Sequence, residues 1–366
     1  MVSIPPSPDR TARWLDAPLL ARETAGRANN VLAIRFVAAA MVILFHCYAL
    51  TGRWGDEPLY AALAPMNLGA LGVEVFFVLS GFLVTQSWLR NPALVPYAAS
   101  RVLRIYPALV AATVFTIVVA GASSTLAWSE YLASPTTWRY FVRTASGIDV
   151  VDRLPGVFPD NPFPRAANGS LWTLPVELRL YVALALAGVA GLLARPRAWL
   201  AAALVLVIAA LAWPDAVPLD PNTRGTRLAA LLFLLGSLAC VWQRYIPLSL
   251  PGAALAIALP LTDAHGLARD GPLFALLLAY AVLVAGYHPA LRLRGIARAP
   301  DYSYGLYVYA FPIQQTIVRA DPGIAPPLLF VAAFAITLVV AAISWHALEA
   351  PALRLKSRFR SRKKSR

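Results

Sequence analysis

Charged side chains are scarce in this sequence of 366 residues. They make up 14% of the chain, whereas hydrophobic residues make up 59%. A soluble domain carries roughly 25% charged residues, so this composition leaves too little polar surface to keep a folded chain in water. Apolar runs of about 20 residues recur, and each is long enough to cross a hydrocarbon layer about 30 Å thick. The composition therefore excludes a soluble globular protein and predicts an integral, polytopic membrane protein.

Cysteine and histidine are also rare. The two cysteines, Cys47 and Cys240, each lie inside an apolar run, and we interpret them as buried, inert thiols rather than a disulfide. The sequence shows no metal-binding cluster and no Gly-rich loop of the kind that holds phosphates. It also shows no internal repeat, which disfavours a transporter built from inverted repeats. We therefore expect no bound metal and no permanently bound cofactor.

Ten apolar segments are candidates for membrane-spanning helices. The segment 248–262 is the weakest, because Pro251 and Pro260 bracket a short run. An even number of spans places both termini on one side, and Lys and Arg are more frequent there, which predicts cytoplasmic termini. The predicted fold is thus an all-α bundle. Its spans are expected near residues 31–50, 68–87, 104–121, 178–194, 199–213, 228–244, 248–262, 272–287, 302–318 and 327–346.

Three regions follow from this topology. Residues 1–30 are expected to form a cytosolic N-terminal arm, residues 31–350 the transmembrane domain, and residues 351–366 a basic cytosolic tail. The net charge of +14 and the basic tail would suggest nucleic-acid binding in a soluble protein. In a membrane protein, an excess of positive charge on the cytoplasmic side explains both. We therefore expect contacts with membrane lipids and none with nucleic acid.

One extracytoplasmic connection, residues 122–177, is long and rich in aromatic residues. Such rings stack against sugars, so the loop could bind a glycan. Trp and Tyr are also enriched at membrane interfaces, and this second interpretation is favoured. The aromatic residues are Trp128, Tyr131, Trp138, Tyr140 and Phe141.

Ionisable groups inside membrane spans are costly and tend to mark functional sites. The first span contains Arg35 and His46. Eleven residues along a helix bring two side chains to within about 20° of the same face, about 16.5 Å apart along the axis. Snorkelling of Arg35 and a structural hydrogen bond of His46 would explain each residue singly. Their shared face favours a functional pair.

Glu74 in the second span and Glu177 in the fourth are expected at the depth of His46. A contact between Glu74 and His46 would orient the imidazole and raise its basicity, and a structural buried pair is the alternative. Glu177 is also explained by its place near the positive end of a helix dipole, or by pairing with Arg179.

Two pairs of residues share a helix face. Arg101 and Arg104 lie one turn apart at the cytosolic start of the third span, where they are suited to bind phosphates, although positive-inside bias is the alternative. Tyr304 and Tyr307 share a face of the ninth span, where aromatic packing is the alternative to substrate binding. Ser80 could be a nucleophile, but a small-residue helix contact is favoured.

These motifs, in this order, resemble the bacterial membrane-bound acyltransferase family 3, whose members O-acetylate lipopolysaccharide O-antigens, exopolysaccharides and Nod factors. The resemblance covers the chain from Arg35 to Pro351. It rests on Arg35 and His46 with ten residues between them, and on the motifs GVEVFFVLSGFL, RVLRIYP, SLWTLPVEL, SYGLYV and LEAP. The family often has Asp in place of Glu74 and His in place of Ala310.

The resemblance implies an O-acyltransferase of the bacterial inner membrane. Its donor would be cytosolic acetyl-CoA, and its acceptor a hydroxyl of a cell-surface or lipid-linked glycan. His46, with Arg35 as its partner, would deprotonate the hydroxyl or carry the acetyl group itself. Glu74 or Glu177 would orient the imidazole or the sugar. The remaining assignments are Arg101 and Arg104 for the acyl-CoA phosphates, and Trp172, Tyr304 and Tyr307 for substrate binding.

A transporter that flips a lipid-linked saccharide or exports a small solute is the main alternative. Buried Arg, His and Glu are equally expected in such a protein. A non-catalytic membrane subunit is a third interpretation. Release of CoA by the purified protein distinguishes the enzyme from both.

Overall fold

The computed structural model describes residues 17–26, 28–212, 224–263 and 271–359. Within these ranges the chain is helical and contains no strand, and a helix lies in each of the ten predicted segments. The α-helices are α1 (Leu20–Thr24), α2 (Val31–Leu50), α3 (Pro58–Leu63), α4 (Leu68–Arg90), α5 (Leu94–Gly121), α6 (Trp128–Ala133), α7 (Pro135–Ser146), α8 (Thr173–Val189), α9 (Pro196–Ala212), α10 (Arg224–Val241), α11 (Leu250–Thr262), α12 (Gly271–Tyr287), α13 (Ser303–Ala320), α14 (Pro326–Ser344) and α15 (Ala350–Arg354).

Among the described residues, five helical segments are long and apolar enough to cross a membrane, so the chain is a multi-pass membrane protein. Four further apolar helices are shorter. It remains a prediction that the chain crosses the membrane ten times and that both of its termini are cytoplasmic. The five long segments are Val31–Leu50, Leu68–Arg90, Leu94–Gly121, Gly169–Val189 and Pro326–Phe359, and the four shorter ones are Pro196–Ala210, Gly225–Val241, Leu250–Thr262 and Gly271–Tyr287.

Helix α13 is the centre of the bundle. Every residue from Ser303 to Gln315 is buried, and the helix packs against α2, α5 and α14. A helix surrounded by protein on all sides does not need lipid-facing apolar residues. This position explains why α13 tolerates three tyrosines and two glutamines in its sequence.

Two helices begin earlier than their apolar character predicts. Helix α5 begins at Leu94 rather than near residue 104, so Arg101 and Arg104 lie inside it. Helix α8 spans Thr173–Val189 rather than 178–194, with Pro175 tolerated in its first turn. In both cases polar residues that face the protein interior precede the apolar run, and hydropathy alone places the boundary too late.

The long connection 122–177 is partly helical, because α6 and α7 lie in it. Tyr131 and Tyr140 are fully buried in a small second core with Phe158, and Tyr131 donates a hydrogen bond to the carbonyl oxygen of Ile117. Sugar stacking by these two tyrosines is therefore wrong. Trp138 remains about half exposed.

The segment before α2 is anchored to the bundle. Leu20 is fully buried, and Glu23 forms an ion pair with Arg292. Residues 1–16 and 27 of the predicted N-terminal arm, and residues 360–366 of the predicted tail, lie outside the described residues. The described part of the tail continues α14 as α15 and a 3-10 turn, Leu355–Phe359.

Helices α4 and α10 pack backbone to backbone through two glycines. A Cβ added to Gly81 would lie 1.9 Å from the carbonyl oxygen of Phe233, and one added to Gly236 would lie 2.2 Å from that of Val78. Small residues allow such close approach of membrane helices. The predicted small-residue contact is thus made by Gly81, while the neighbouring Ser80 faces a cavity.

Substitution of Gly81 by Ala is expected to force α4 and α10 apart and to destabilise the fold by about 1–3 kcal/mol, the usual cost of overpacking. The measurement is the thermal unfolding midpoint of the detergent-solubilised protein. Gly55→Ala is the control, because a Cβ at Gly55 would meet nothing within 4 Å. Equal midpoints for the two variants would contradict the close packing.

Candidate active site

A polar cavity of about 270 Å³ lies inside the bundle, between α2, α4, α5, α8 and α13. The side of the bundle at which α2 begins is named the Arg35 end. The side at which α2 ends is named the His46 end. Five acidic or basic side chains line the cavity, which is costly in a membrane protein and marks a functional site. These side chains are Arg35, Arg101, Arg104, Glu177 and Asp301.

Asp301 joins two of the arginines. Its Oδ2 lies 3.3 Å from Nε of Arg35 and 2.6 Å from Nη2 of Arg104, and it accepts hydrogen bonds from Ser303. Burial alone would raise the pKa of Asp301, but the two guanidinium groups, together with Ser303, outweigh burial and hold this pKa at about 2. The stabilisation is therefore complete above about pH 4 and is lost as the pH falls through about 2.

Arg104 has a second acidic partner at the C-terminal side of the chain. Its Nη1 lies 3.6 Å from Oε2 of Glu349, which is fully buried. Glu349 ends a π-helical turn, Trp345–Glu349, that follows α14. The guanidinium also lies over the rings of Tyr304 and Trp345, 5.8 and 5.7 Å from their centroids. Arg104 is therefore neutralised and fixed in place.

Arg101 differs from Arg104, although both line the cavity. No carboxylate of the described residues lies within ion-pairing distance of Arg101. Its guanidinium lies over the rings of Tyr97 and Tyr181, and its buried Nε has no hydrogen-bond partner within that part of the chain. An uncompensated cation with a free donor in a cavity wall is an arrangement that fits an anionic ligand.

Glu177 lines the same cavity and does not cap a helix terminus. Its Oε1 accepts hydrogen bonds from Ser80, at 3.2 Å, and from Tyr181. The side chain of Arg179 is exposed and forms no ion pair with Glu177, because two residues along a helix are about 200° apart in direction. Both predicted alternatives for Glu177, dipole capping and pairing with Arg179, are therefore wrong.

His46 lies beyond the cavity wall, on the side of Thr173 and Tyr307. Its Nδ1 is 3.5 Å from Oγ of Ser170 in the 3-10 turn that precedes α8. The imidazole also contacts Phe311 edge to face, with ring centroids 5.2 Å apart.

The backbone around Ser170 is fixed by hydrogen bonds. Tyr307 donates to the carbonyl oxygen of Ser170, and the hydroxyl groups of Thr173 and Tyr307 lie 2.7 Å apart. Asn168 accepts from the Ser170 amide and donates to the carbonyl oxygen of Val308. Ser170 therefore links the two sites, because its hydroxyl contacts His46 and its carbonyl oxygen accepts from Tyr307 in the cavity wall.

The predicted contact between His46 and Glu74 is wrong. Among the described residues, Glu74 forms no hydrogen bond or ion pair with His46, and it does not line the cavity. Gly72 and not Glu74 faces α2, since a Cβ on Gly72 would lie 2.5 Å from the carbonyl oxygen of Ala38. Glu74 is two turns before Gly81 and therefore lies on the α10 side of the helix. The sequence matched the depth of the two residues, but depth does not fix the direction in which a side chain points.

The three predicted substrate-binding residues separate into two groups. Tyr304 and Tyr307 are buried in the cavity wall, and Tyr304 donates to the carbonyl oxygen of Ile105 at 3.2 Å. Trp172 is outside the cavity and is 42% exposed. Its ring lies on the start of α10, because a Cβ added to Gly225 would be 3.5 Å from Cη2 of Trp172.

Sequence reasoning missed three residues of the site: Asp301, Glu349 and Ser170. Two of them lie in the motifs LEAP and SLWTLPVEL, and Asp301 directly precedes the segment that contains SYGLYV. The sequence showed these motifs, but it did not show which arginine or histidine each of the three residues contacts. An Asp and two arginines separated by hundreds of residues give no local pattern of the kind that helical spacing provides.

Replacement of Asp301 by Asn is expected to leave two guanidinium groups without their shared carboxylate. Loss of one partner of a buried ion pair costs about 3–5 kcal/mol, so the thermal unfolding midpoint should fall clearly. Asp321→Asn, at the exposed end of α13, is the matched control and should change the midpoint little. Equal effects at both positions would show that Asp301 does not hold the cavity together.

The chain is similar to known proteins along most of its length. The model of a family described as an acyltransferase domain, the acyltransferase family 3, matches residues 30–346. No solved structure matches the chain.

Three curated proteins are similar over most of their own length. An O-acetyl transferase of Shigella phage Sf6 is 28% identical, over 88% of this chain and 95% of its own. Nodulation protein 10 of Rhizobium leguminosarum bv. viciae is 28% identical, over 93% and 98%. The exopolysaccharide production protein ExoZ of Rhizobium meliloti (strain 1021) is 32% identical, over 85% and 95%.

Proposed function

Since this chain belongs to the acyltransferase family 3 and is an O-acetyltransferase, we propose that it moves an acetyl group from acyl-CoA to a glycan. The donor is cytosolic and the acceptor is a hydroxyl of a cell-surface or lipid-linked saccharide on the far side of the bacterial inner membrane. The names of the relatives support a saccharide acceptor, because one is an exopolysaccharide production protein. A membrane enzyme is required because donor and acceptor are in different compartments.

The observation that carries this proposal is the unpartnered Arg101 in the cavity wall. A CoA thioester has several phosphate groups, and Arg101 has a free donor and no acidic neighbour within the described chain. Arg101 binds a phosphate group, while Arg104 and Arg35 are held by Asp301 and serve as positioning residues. The cavity is at the Arg35 end, so this end is cytosolic.

The acyl end of the donor reaches His46 from the cavity, past Thr173 and Tyr307. Nδ1 of His46 is 3.5 Å from the Ser170 hydroxyl. In the proposed mechanism Nδ1 carries the proton and donates to that hydroxyl, so that Nε2 of the imidazole is free to act as the base. His46 removes the proton of the sugar hydroxyl as its oxygen attacks the thioester carbonyl. The new C–O bond forms, the C–S bond breaks, and the CoA thiolate takes the proton from the imidazolium.

Other residues of the site have supporting roles. Glu177, bound by Ser80 and Tyr181, faces the cavity and orients the acyl arm. Tyr304 and Tyr307 form the wall along which this arm lies. A catalytic role for Glu74 remains a prediction without a contact to support it.

Replacement of His46 by Ala is expected to abolish ester-linked acetate on the surface glycan, because no other base takes its place. The test is a deletion strain complemented with either gene, with insertion of each protein verified in membranes. His346→Ala is the control, since His346 is exposed, contacts Tyr302 and does not line the cavity. Full acetylation by a stably inserted His46→Ala protein would refute the mechanism.

The two arginines of α5 are expected to respond differently to substitution. Arg101→Gln should raise KM for acetyl-CoA at least tenfold, the effect of losing about 1.4 kcal/mol of phosphate binding, without changing the unfolding midpoint. Arg104→Gln should lower that midpoint, because Asp301 and Glu349 lose a partner. The measurements are CoA release and thermal unfolding of purified protein. A wild-type protein that releases no CoA with any acceptor glycan would favour the transporter.

A further inference from the structure

Phe163 is an exposed aromatic residue close to His46. It is 45% exposed, and its ring contacts that of Phe311 edge to face, with ring centroids 6.4 Å apart. Phe311 in turn contacts the imidazole of His46, with ring centroids 5.2 Å apart. A single side chain therefore links Phe163 to the imidazole, and the mechanism proposed above gives Phe163 no role.

The loop that carries Phe163, residues 160–165, is held in place by two buried amide side chains. Nε2 of Gln315 donates to the carbonyl oxygens of Phe163, at 2.8 Å, and of Ala166, at 3.0 Å. Nδ2 of Asn161 donates to Oε1 of Gln315, at 2.7 Å, and to its carbonyl oxygen, at 3.0 Å. The main chain that presents the exposed ring is therefore fixed directly to the central helix α13.

The backbone of this loop is strained at both ends. Arg165 has a φ of 64°, and its amide donates to the carbonyl oxygen of Phe158, which has a φ of 48°. No other non-glycine residue in the described part of the chain lies in this left-handed region. Such conformations destabilise a protein by about 1–3 kcal/mol each and cluster at functional sites. The shape of the loop is therefore specific, and it is maintained although it is unfavourable locally.

The loop lies beyond the end of α2. Pro162 packs against Gly52, which follows this helix, since a Cβ added to Gly52 would be 3.5 Å from Cβ of Pro162. Asp160 and Arg165 lie on either side of Phe163, are exposed, and form no ion pair among the described residues. Hydrocarbon does not solvate such charges, whereas sugar hydroxyl groups can donate to the carboxylate and accept from the guanidinium.

His46 is accessible from a direction other than the polar cavity. It is partly exposed, although it does not line that cavity. The face of an aromatic ring carries partial negative charge and therefore attracts the C–H groups on one face of a sugar ring. A saccharide stacked on Phe163 would be held next to the exposed part of His46.

We infer that Phe163 is a stacking platform for one sugar unit of the acceptor glycan, with Asp160 and Arg165 as hydrogen-bonding partners of its hydroxyl groups. The inference rests on the proposed function and adds to it the subsite that holds the acceptor. The sugar on Phe163 is a neighbour of the acetylated one. Phe163 thus contributes to acceptor binding and not to acetyl transfer itself.

The test compares three substitutions of Phe163 in a binding assay without acyl-CoA. The probe is the non-acetylated surface glycan, extracted from a strain that lacks the gene and titrated into purified protein in detergent. Phe163→Trp keeps an aromatic ring, Phe163→Leu keeps only an apolar side chain, and Phe163→Ala keeps neither. Trp138→Ala is the control, because Trp138 is another exposed aromatic residue of the same long connection.

Phe163→Ala and Phe163→Leu are expected to bind the glycan about tenfold more weakly than wild type, because stacking requires a ring face. Phe163→Trp and Trp138→Ala should bind it like wild type. KM for acetyl-CoA should be unchanged in all four variants, since neither residue lines the polar cavity. If Phe163→Ala fails to fold, the comparison of Phe163→Leu with Phe163→Trp still decides the question.

Wild-type affinity of Phe163→Leu would overturn the inference, because a contact with lipid or protein needs only an apolar side chain. Wild-type affinity of Phe163→Ala, or no glycan binding by the wild-type protein, would also overturn it. His46→Ala should bind the glycan normally without acetylating it. Full acetylation by His46→Ala would refute only the proposed mechanism. Loss of acetylation in His46→Ala together with normal binding by Phe163→Leu would refute only this inference.

Discussion

The carboxylate of Asp301, held between Arg35 and Arg104, is the interaction on which the cavity depends. It joins the start of α13 to α2 and α5, and Glu349 adds the end of α14 through Arg104. Arg35, Arg104 and their two carboxylates would be very costly inside the bundle if they were unpaired. Because two of the arginines are neutralised in this way, the third, Arg101, can remain free for a ligand.

Helix α8 lies between two different spaces in the molecule. One face carries Glu177 and Tyr181 toward the charged cavity, and the other carries Leu178 and Arg179 toward an apolar groove of about 1720 Å³ between α8, α9 and α10. The turn before this helix holds Ser170 against His46. A single helix thus has one face in the charged cavity and one face in the apolar groove, and the turn that precedes it contacts His46.

Much of this arrangement was predictable from the sequence. The length of the apolar runs correctly predicted a helix in each of the ten segments. The order of the motifs indicated the family, and the family match over residues 30–346 confirms it. The shared face of Arg35 and His46 follows from helical spacing alone. The direction of Glu74 does not, because it depends on how α4 is rotated by its glycine contacts with α2 and α10. Likewise, Asp301 lies far in sequence from both of its arginines, and only packing brings them together.

The positions of the acidic partners of Arg104 have a consequence for biosynthesis. Arg104 emerges from the ribosome early, but Asp301 and Glu349 follow only near the end of translation. Until the final helices insert, α5 holds an uncompensated charge inside the nascent bundle. The charged cavity is therefore completed last, after most of the bundle has been translated.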